Sequence, residues 1–226
     1  MQKKISKDIQ YAITKAGLGS IPLVGAAASE LFSLLVTPPL EQRRNDWMTE
    51  IGKRLSELEK QSEIDFEELQ GNSLFIDTVL QTTQLALRSS EKEKLEYYKN
   101  ALINTALGET PEQSEIQIFL NLIGDFTVWH IKILKLFDNP TEWFRSHNLE
   151  VPNIMRGGLS LILETAMPEL KGRSEFYNLI WSDLSRAGLH DSGSFQGMIT
   201  SSDLMANRTT EFGKRFLLFI ETKRLA

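Results

Sequence analysis

Apolar residues recur every three or four positions along most of this chain, which is the spacing of one face of an α-helix. Between residues 41 and 60 the apolar stripe is Trp47, Ile51, Leu55 and Leu58, and charged residues lie mostly off it. Similar periodicity predicts helices over about 3–16, 73–88, 90–107, 126–138, 159–171, 175–186 and 209–220. The pattern therefore predicts an all-α protein with about eight helices.

Two local signals predict where helices begin. Ser90-Glu91-Lys92-Glu93 has the form of a capping box, and it should open a helix that runs to about Leu107 and ends at Gly108. Thr110-Pro111-Glu112-Gln113 combines a capping threonine with proline at the first helical position. The helix that follows should turn four apolar residues inward: Ile116, Phe119, Leu120 and Ile123.

Helix breakers concentrate in the middle of the chain. Asn139-Pro140 ends the helix over 126–138, and Pro152 and Gly157-Gly158 follow within twenty residues. This concentration predicts a boundary between a helical bundle domain over residues 1–138 and a C-terminal domain over residues 139–226.

A nearly uncharged segment lies near the N-terminus. Between Lys15 and Glu41 the only charged residue is Glu30, and Thr37-Pro38-Pro39 predicts that a helix over 21–36 stops there. Such a helix spans about 24 Å, less than the roughly 30 Å hydrocarbon core of a membrane. The apolar residues through which it would meet a membrane or a partner are Ile21, Leu23, Val24, Leu31, Phe32 and Leu35.

The favoured interpretation of this segment is a central helix that other helices of the chain bury. A standing transmembrane helix is disfavoured by its length and by Glu30. A signal peptide is disfavoured because Lys7, Asp8 and Lys15 interrupt the apolar region that it would need. The remaining alternative is a conditional membrane segment over residues 16–40 that inserts after a trigger.

Composition and charge limit the kinds of site that this chain can form. None of the 226 residues is cysteine, which excludes disulfides, thiolate metal sites and cysteine nucleophiles. The net charge is −5, which disfavours general nucleic-acid binding. The charge is uneven: residues 1–20 carry +3, residues 61–140 carry −7 and residues 181–226 carry +1.

The C-terminal region carries a weak family resemblance. A helix ending in Gly188-Leu189 is followed by a predicted strand over 195–200 and then by Arg208-Thr209-Thr210-Glu211-Phe212-Gly213. This order resembles the distal half of a winged-helix module, over roughly 50 residues. It also resembles the C-terminal part of uncharacterised bacterial helical proteins, some of them associated with phage defence or stress. The resemblance implies a small winged-helix-like α+β portion.

Catalytic and metal-binding patterns were not found in the sequence. His130, His147 and His190 have no partner pattern of a metal or nucleophile site, and the glycines at 17, 19 and 25 lack a following Gly-Lys-Ser/Thr. The tryptophans at 47, 129, 143 and 181 lie in apolar patterns that predict core positions. We therefore expect no catalytic residue, no metal and no cofactor.

The leading functional hypothesis is a non-enzymatic, cytoplasmic bacterial interaction protein, an adaptor or scaffold in a defence or stress system, that binds a protein partner or its own copies. One alternative is a membrane-acting effector that inserts residues 16–40. The other is a winged-helix DNA-binding regulator, for which Lys214 and Arg215 are the candidate nucleic-acid contacts, although the net charge disfavours it.

Overall fold

The structure is a computed structural model that describes residues 24–108, 111–152, 156–195, 197 and 199–221. Side chains are described from Pro39 onward, apart from residues 156 and 199–202. Helices make up most of this part of the chain, so the predicted all-α class is confirmed. The chain divides into two compact units, residues 1–60 and 61–226. This division falls after Lys60, whereas the sequence places a boundary at residue 139.

The described part of the first unit is a long helix, α1 (Val24–Lys60), of 37 residues and about 55 Å. The prediction that Thr37-Pro38-Pro39 ends a helix is wrong, because α1 continues through both prolines. Each proline removes one N–H donor, but its fixed φ is compatible with the helical path. Of the predicted inward stripe, Trp47, Ile51 and Leu58 are buried and Leu55 is half-buried.

The second unit combines short helices with a minimal β-ladder. Its elements are α2 (Phe66–Gly71), α3 (Ser73–Arg88), α4 (Lys92–Ala106), α5 (Gln113–Asp125), α6 (Val128–Asp138), α7 (Pro140–Ser146), β1 (Arg156–Gly157), α8 (Leu159–Ala166), a 3₁₀ turn (Pro168–Leu170), α9 (Ser174–Arg186), β2 (Ile199–Thr200), α10 (Ser201–Leu204) and α11 (Glu211–Ile220). Helix α4 packs against α3, α5 and α11, and α6 packs against α9. Helices on either side of residue 139 therefore share one core.

The two predicted start signals mark the right helices but the wrong caps. Helix α4 begins at Lys92, and its N-cap is Glu91, whose side chain makes no capping hydrogen bond. The Ser89 hydroxyl accepts the Glu91 N–H at 3.3 Å, so a turn rather than a capping box precedes α4. Helix α5 begins at Gln113 with Glu112 as N-cap, and the predicted cap Thr110 lies outside the described residues.

Aromatic side chains join α5 to α11. The Phe119 ring lies 5.0 Å from Phe212, 5.4 Å from Phe216 and 5.7 Å from Phe219, measured between centroids. All four residues predicted to face inward on α5 are buried. Helix α11 begins as predicted, with the Thr210 hydroxyl accepting the N–H of Gly213 at 3.0 Å.

The predicted winged-helix wing is not supported. The described part of the chain has two strands of two residues each, paired antiparallel with Arg156 opposite Thr200, and one isolated antiparallel bridge between His190 and Thr209. Strand β2 therefore pairs with a segment that precedes α8, and it forms no hairpin after Leu189. Phe195 lies in a turn, where its ring packs 4.7 Å from Trp181 and 5.5 Å from Phe137.

Among the described residues no helix is both long enough and apolar enough to span a bilayer. The candidate membrane or partner residues Ile21 and Leu23 lie outside the described part of the chain. The backbone of Val24, Leu31, Phe32 and Leu35 belongs to α1, and their side chains are not described. The prediction that this segment is buried among other helices stays a prediction.

Candidate functional site

A cleft of about 430 Å³ opens between the α3–α4 turn and the α5–α6 turn. Its wall on one side is the end of α3 and the start of α4, and on the other side it is the junction of α5 with α6. The lining residues are Leu85, Arg88, Ser89, Ser90, Glu91, Lys94, Tyr98, Gly124, Asp125, Phe126 and Thr127. The sequence alone did not identify Lys94 and Tyr98 of α4 as candidate binding residues.

Lys94 and Tyr98 lie one helical turn apart on α4, so both side chains reach the same wall of the cleft. The Lys94 ammonium donates a hydrogen bond to the Gly124 carbonyl oxygen at 2.9 Å, near the end of α5. Burial lowers the pKa of Lys94, and the nearby carboxylates of Glu91 and Asp125 act in the opposite direction. Lys94 is thus a half-buried cation beside two acids.

Tyr98 is 1% exposed, and its hydroxyl has no hydrogen-bond partner among the described residues. Burial, together with the nearby carboxylates of Asp125 and Glu91, raises the pKa of Tyr98 to about 12. The phenol therefore keeps its proton at neutral pH and presents an O–H donor in the wall of the cleft.

His130 lies next to the cleft and forms a hydroxyl–imidazole–carboxylate series. Its Nδ1 lies 2.9 Å from the Thr127 hydroxyl, and its Nε2 lies 3.4 Å from an Asp183 carboxylate oxygen. A catalytic triad has the same order, with a hydroxyl nucleophile, an imidazole base and a carboxylate that orients the imidazole. Here, however, Nδ1 accepts the Thr127 N–H at 3.2 Å, and Thr127 caps the His130 N–H. The series is a capping box at the start of α6 with histidine in place of glutamate.

His190 packs against the aromatic cluster of Phe137, Trp181 and Phe195. It is 2% exposed, and its ring stacks on Trp181 with 3.6 Å between centroids. Its Nδ1 accepts the Ser192 N–H at 3.2 Å, so its Nε2 carries the proton and donates to the Trp181 carbonyl at 2.8 Å. Burial lowers the pKa of His190, and the Trp181 carbonyl and the Asp191 carboxylate act in the opposite direction.

Both candidate nucleic-acid contacts are engaged with carboxylates. Lys214 lies 2.6 Å from Glu211, and Arg215 forms a two-pronged ion pair with Glu115 of α5. A phosphate group would have to compete with these acids for each cation.

The four tryptophans divide evenly between core and partial exposure. Trp47 and Trp181 are buried as predicted, whereas Trp129 and Trp143 are half-buried. Across the described residues, no group of three or more histidine, aspartate or glutamate side chains is placed to hold a metal ion.

Helix α3 has a second apolar stripe besides the one that it buries. Its core stripe is Phe75, Thr78, Thr82 and Ala86. The outer stripe begins with Ile76 and Leu80, which are 42% and 58% exposed, and continues through the half-buried Thr83 and Leu87. The spacing of four, three and four residues was available in the sequence, but the burial of the other stripe was needed to identify this one as the outer face.

No known protein-family model matches this chain, and neither a curated protein nor a solved structure is significantly similar to it. The evidence for function is therefore the contacts and exposure of the residues in the cleft and on the outer stripe of α3.

Proposed function

We propose that this chain is a non-enzymatic protein-interaction protein that self-associates through the outer stripe of α3. The observation that carries the proposal is this stripe, in which Ile76 and Leu80 are exposed and Thr83 and Leu87 are half-buried. Spacings of four, three and four residues are those of the seam along which two helices pack side by side. The occupant of this stripe is therefore a helix.

Charge at the ends of α3 selects a second copy as the partner. Asp77 lies near the start of the helix and Arg88 is its last residue, both on the exposed surface. Within the described part of the chain neither side chain has an ion-pair partner. Two α3 helices packed antiparallel would place Asp77 beside the partner's Arg88, and the reciprocal pair would form at the other end. The same register would set Ile76 against the partner's Leu87.

The polar side chains support a binding role over a catalytic one. The imidazole nitrogens of His190 contact backbone groups, and those of His130 contact the cap residue Thr127 and the Asp183 carboxylate. The bacterial defence or stress setting implied by the resemblance stays a prediction, as does location in the cytoplasm. The membrane-effector alternative depends on residues 16–40, whose side chains up to Pro38 are not described.

The oligomeric state tests this proposal. Sedimentation equilibrium over a wide concentration range should give a mass that rises from 25.7 kDa toward twice that value. Leu80→Glu should keep the protein monomeric, because it places a charge in the middle of the seam. Leu179→Glu on α9 is the matched control, since Leu179 is also 58% exposed, and it should leave dimerisation unchanged.

A charge exchange separates the antiparallel arrangement from other modes of association. Asp77→Arg alone should weaken the dimer because it faces the partner's Arg88 with a like charge. Combining Asp77→Arg with Arg88→Asp should restore the dimer. A wild-type protein that stays monomeric at the highest concentration, or equal effects of Leu80→Glu and Leu179→Glu, would overturn the proposal.

A further inference from the structure

The cleft between the α3–α4 and α5–α6 turns contains hydrogen-bond donors that lack acceptors. The Tyr98 hydroxyl is the most informative of them, because Tyr98 is 1% exposed and no described residue accepts its proton. An acceptor for this proton has to come from the cleft, which Tyr98 lines.

Lys94 supplies further donors to the same wall. Its ammonium has three protons, and Gly124 accepts one of them. The other two have no acceptor among the described residues. Lys94 and Tyr98 are separated by one turn of α4 and both line the cleft, so one acceptor group could contact both.

The start of α4 adds a favourable field for an anion. This helix has 15 residues, and its N-cap Glu91 gives no side-chain hydrogen bond to the first turn. The partial positive charge of a helix N-terminus favours an anion beside it. Ser89 and Ser90, which also line the cleft, provide hydroxyl donors next to the same turn.

We propose that this cleft binds the oxyanion of a small molecule, a carboxylate or a phosphate group, with the Tyr98 hydroxyl and the Lys94 ammonium as its donors. The volume of about 430 Å³ is within the range of small-molecule sites. Glu91 and Asp125 also line the cleft, and their charges disfavour ligands with several negative groups. The site therefore suits a compact ligand with a single anionic group rather than a nucleic-acid backbone.

Binding is tested on the full chain with inorganic phosphate and acetate as separate probes. Amide chemical shifts of Ser90, Lys94 and Thr127 should move in a saturable way with at least one probe. Chloride at matched ionic strength should not reproduce these shifts. Comparing the two probes distinguishes a phosphate site from a carboxylate site.

Two variants connect binding to the proposed donors. Tyr98→Phe removes one oxygen atom, and it should weaken binding of the probe by about tenfold, the equivalent of one lost hydrogen bond. Lys94→Gln should weaken it at least as much. Tyr97→Phe is the matched control, because Tyr97 is a buried neighbour on α4 that does not line the cleft, and Lys135 covers its ring.

Three results would overturn the proposal. The first is that neither probe shifts the cleft amides beyond the effect of chloride. The second is that Tyr97→Phe and Tyr98→Phe have equal effects on binding. The third is that methylammonium chloride saturates the same amides, which would show that Glu91 and Asp125 make the cleft a cation site. Urea unfolding of each variant confirms that it is folded before binding is measured.

Discussion

Asn104 of α4 holds the C-terminal end of α11, and its removal should measurably destabilise the second unit. Its amide nitrogen lies 3.2, 2.9 and 3.0 Å from the carbonyl oxygens of Leu218, Phe219 and Glu221. The last four carbonyls of a helix have no partner within the helix, so they need donors from elsewhere. Asn104 is 4% exposed, which leaves water little access to replace it.

The expected loss of stability follows from the number of protons that the Asn104 amide can donate. The amide has two N–H groups, so it satisfies two of the three carbonyls at any moment. Each net hydrogen bond contributes about 1 kcal/mol, and a carbonyl left buried without a donor costs about 1–3 kcal/mol. Asn104→Ala should therefore lower the free energy of unfolding by about 2–4 kcal/mol. Asn100→Ala should cost less, about 1 kcal/mol, because Asn100 is half-buried and water can replace its amide at the Ile220 carbonyl, which it contacts at 3.0 Å.

Urea unfolding monitored by tryptophan fluorescence measures both variants, with the midpoint and slope fitted for each. Asn104→Asp provides a third comparison of nearly the same size. Its carboxylate would face the carbonyl oxygens, so this variant should be at least as unstable as the alanine variant at neutral pH. The reasoning fails if Asn104→Ala is no less stable than Asn100→Ala, since the carbonyls would then have other donors.

Two further predictions concern the close approach of the Leu189 carbonyl to Gly213 and the protonation of His190. At Gly213 an added Cβ would overlap the Leu189 carbonyl oxygen, whereas at Gly52 it would meet nothing within 4 Å. Gly213→Ala should therefore lower the free energy of unfolding by about 1–3 kcal/mol, and Gly52→Ala should raise it by about 0.5–1 kcal/mol, as their urea midpoints will show. Burial lowers the pKa of His190 below the 6.5 of the unfolded chain, so the unfolded state takes up a proton first as the pH falls. Stability should decline from about pH 6.5 downward, by at most about 1.4 kcal/mol per pH unit for this residue, and His190→Gln should flatten that decline; an unchanged slope would contradict this account.

Local periodicity was sufficient to predict much of the fold. On α5 the stripe of Ile116, Phe119, Leu120 and Ile123 is apolar and inward, because the same residues both set the pattern and form the core. On α3 the pattern predicts Leu74, Phe75, Val79 and Leu85 inward, but of these only Phe75 is fully buried. The core stripe there includes Thr78 and Thr82, whose hydroxyls donate to helix carbonyls and so need no partner in the core.

Proline and asparagine signals were harder to interpret from sequence. Pro38 and Pro39 are helix breakers by propensity, yet they lie within α1, so propensity did not decide this boundary. Asn139-Pro140 ends one helix and also begins another, because the Asn139 side chain accepts the Glu142 N–H at 3.1 Å and proline fits the first position of α7. The same residues that indicate a break thus also nucleate the next helix.

The candidate sites depend on contacts between residues distant in sequence, and this is why the sequence did not reveal them. Lys94 is an ordinary surface lysine by pattern, and only the approach of Gly124 makes it a half-buried cation. Tyr98 fits the inward stripe of α4, and the missing partner of its hydroxyl appears only when every neighbour is placed. The sequence pattern identifies Tyr98 as a core residue, and only the structure shows that its hydroxyl lacks an acceptor. The comparison of Tyr98→Phe with Tyr97→Phe is therefore decisive, since both tyrosines are buried on α4 and only Tyr98 lines the cleft.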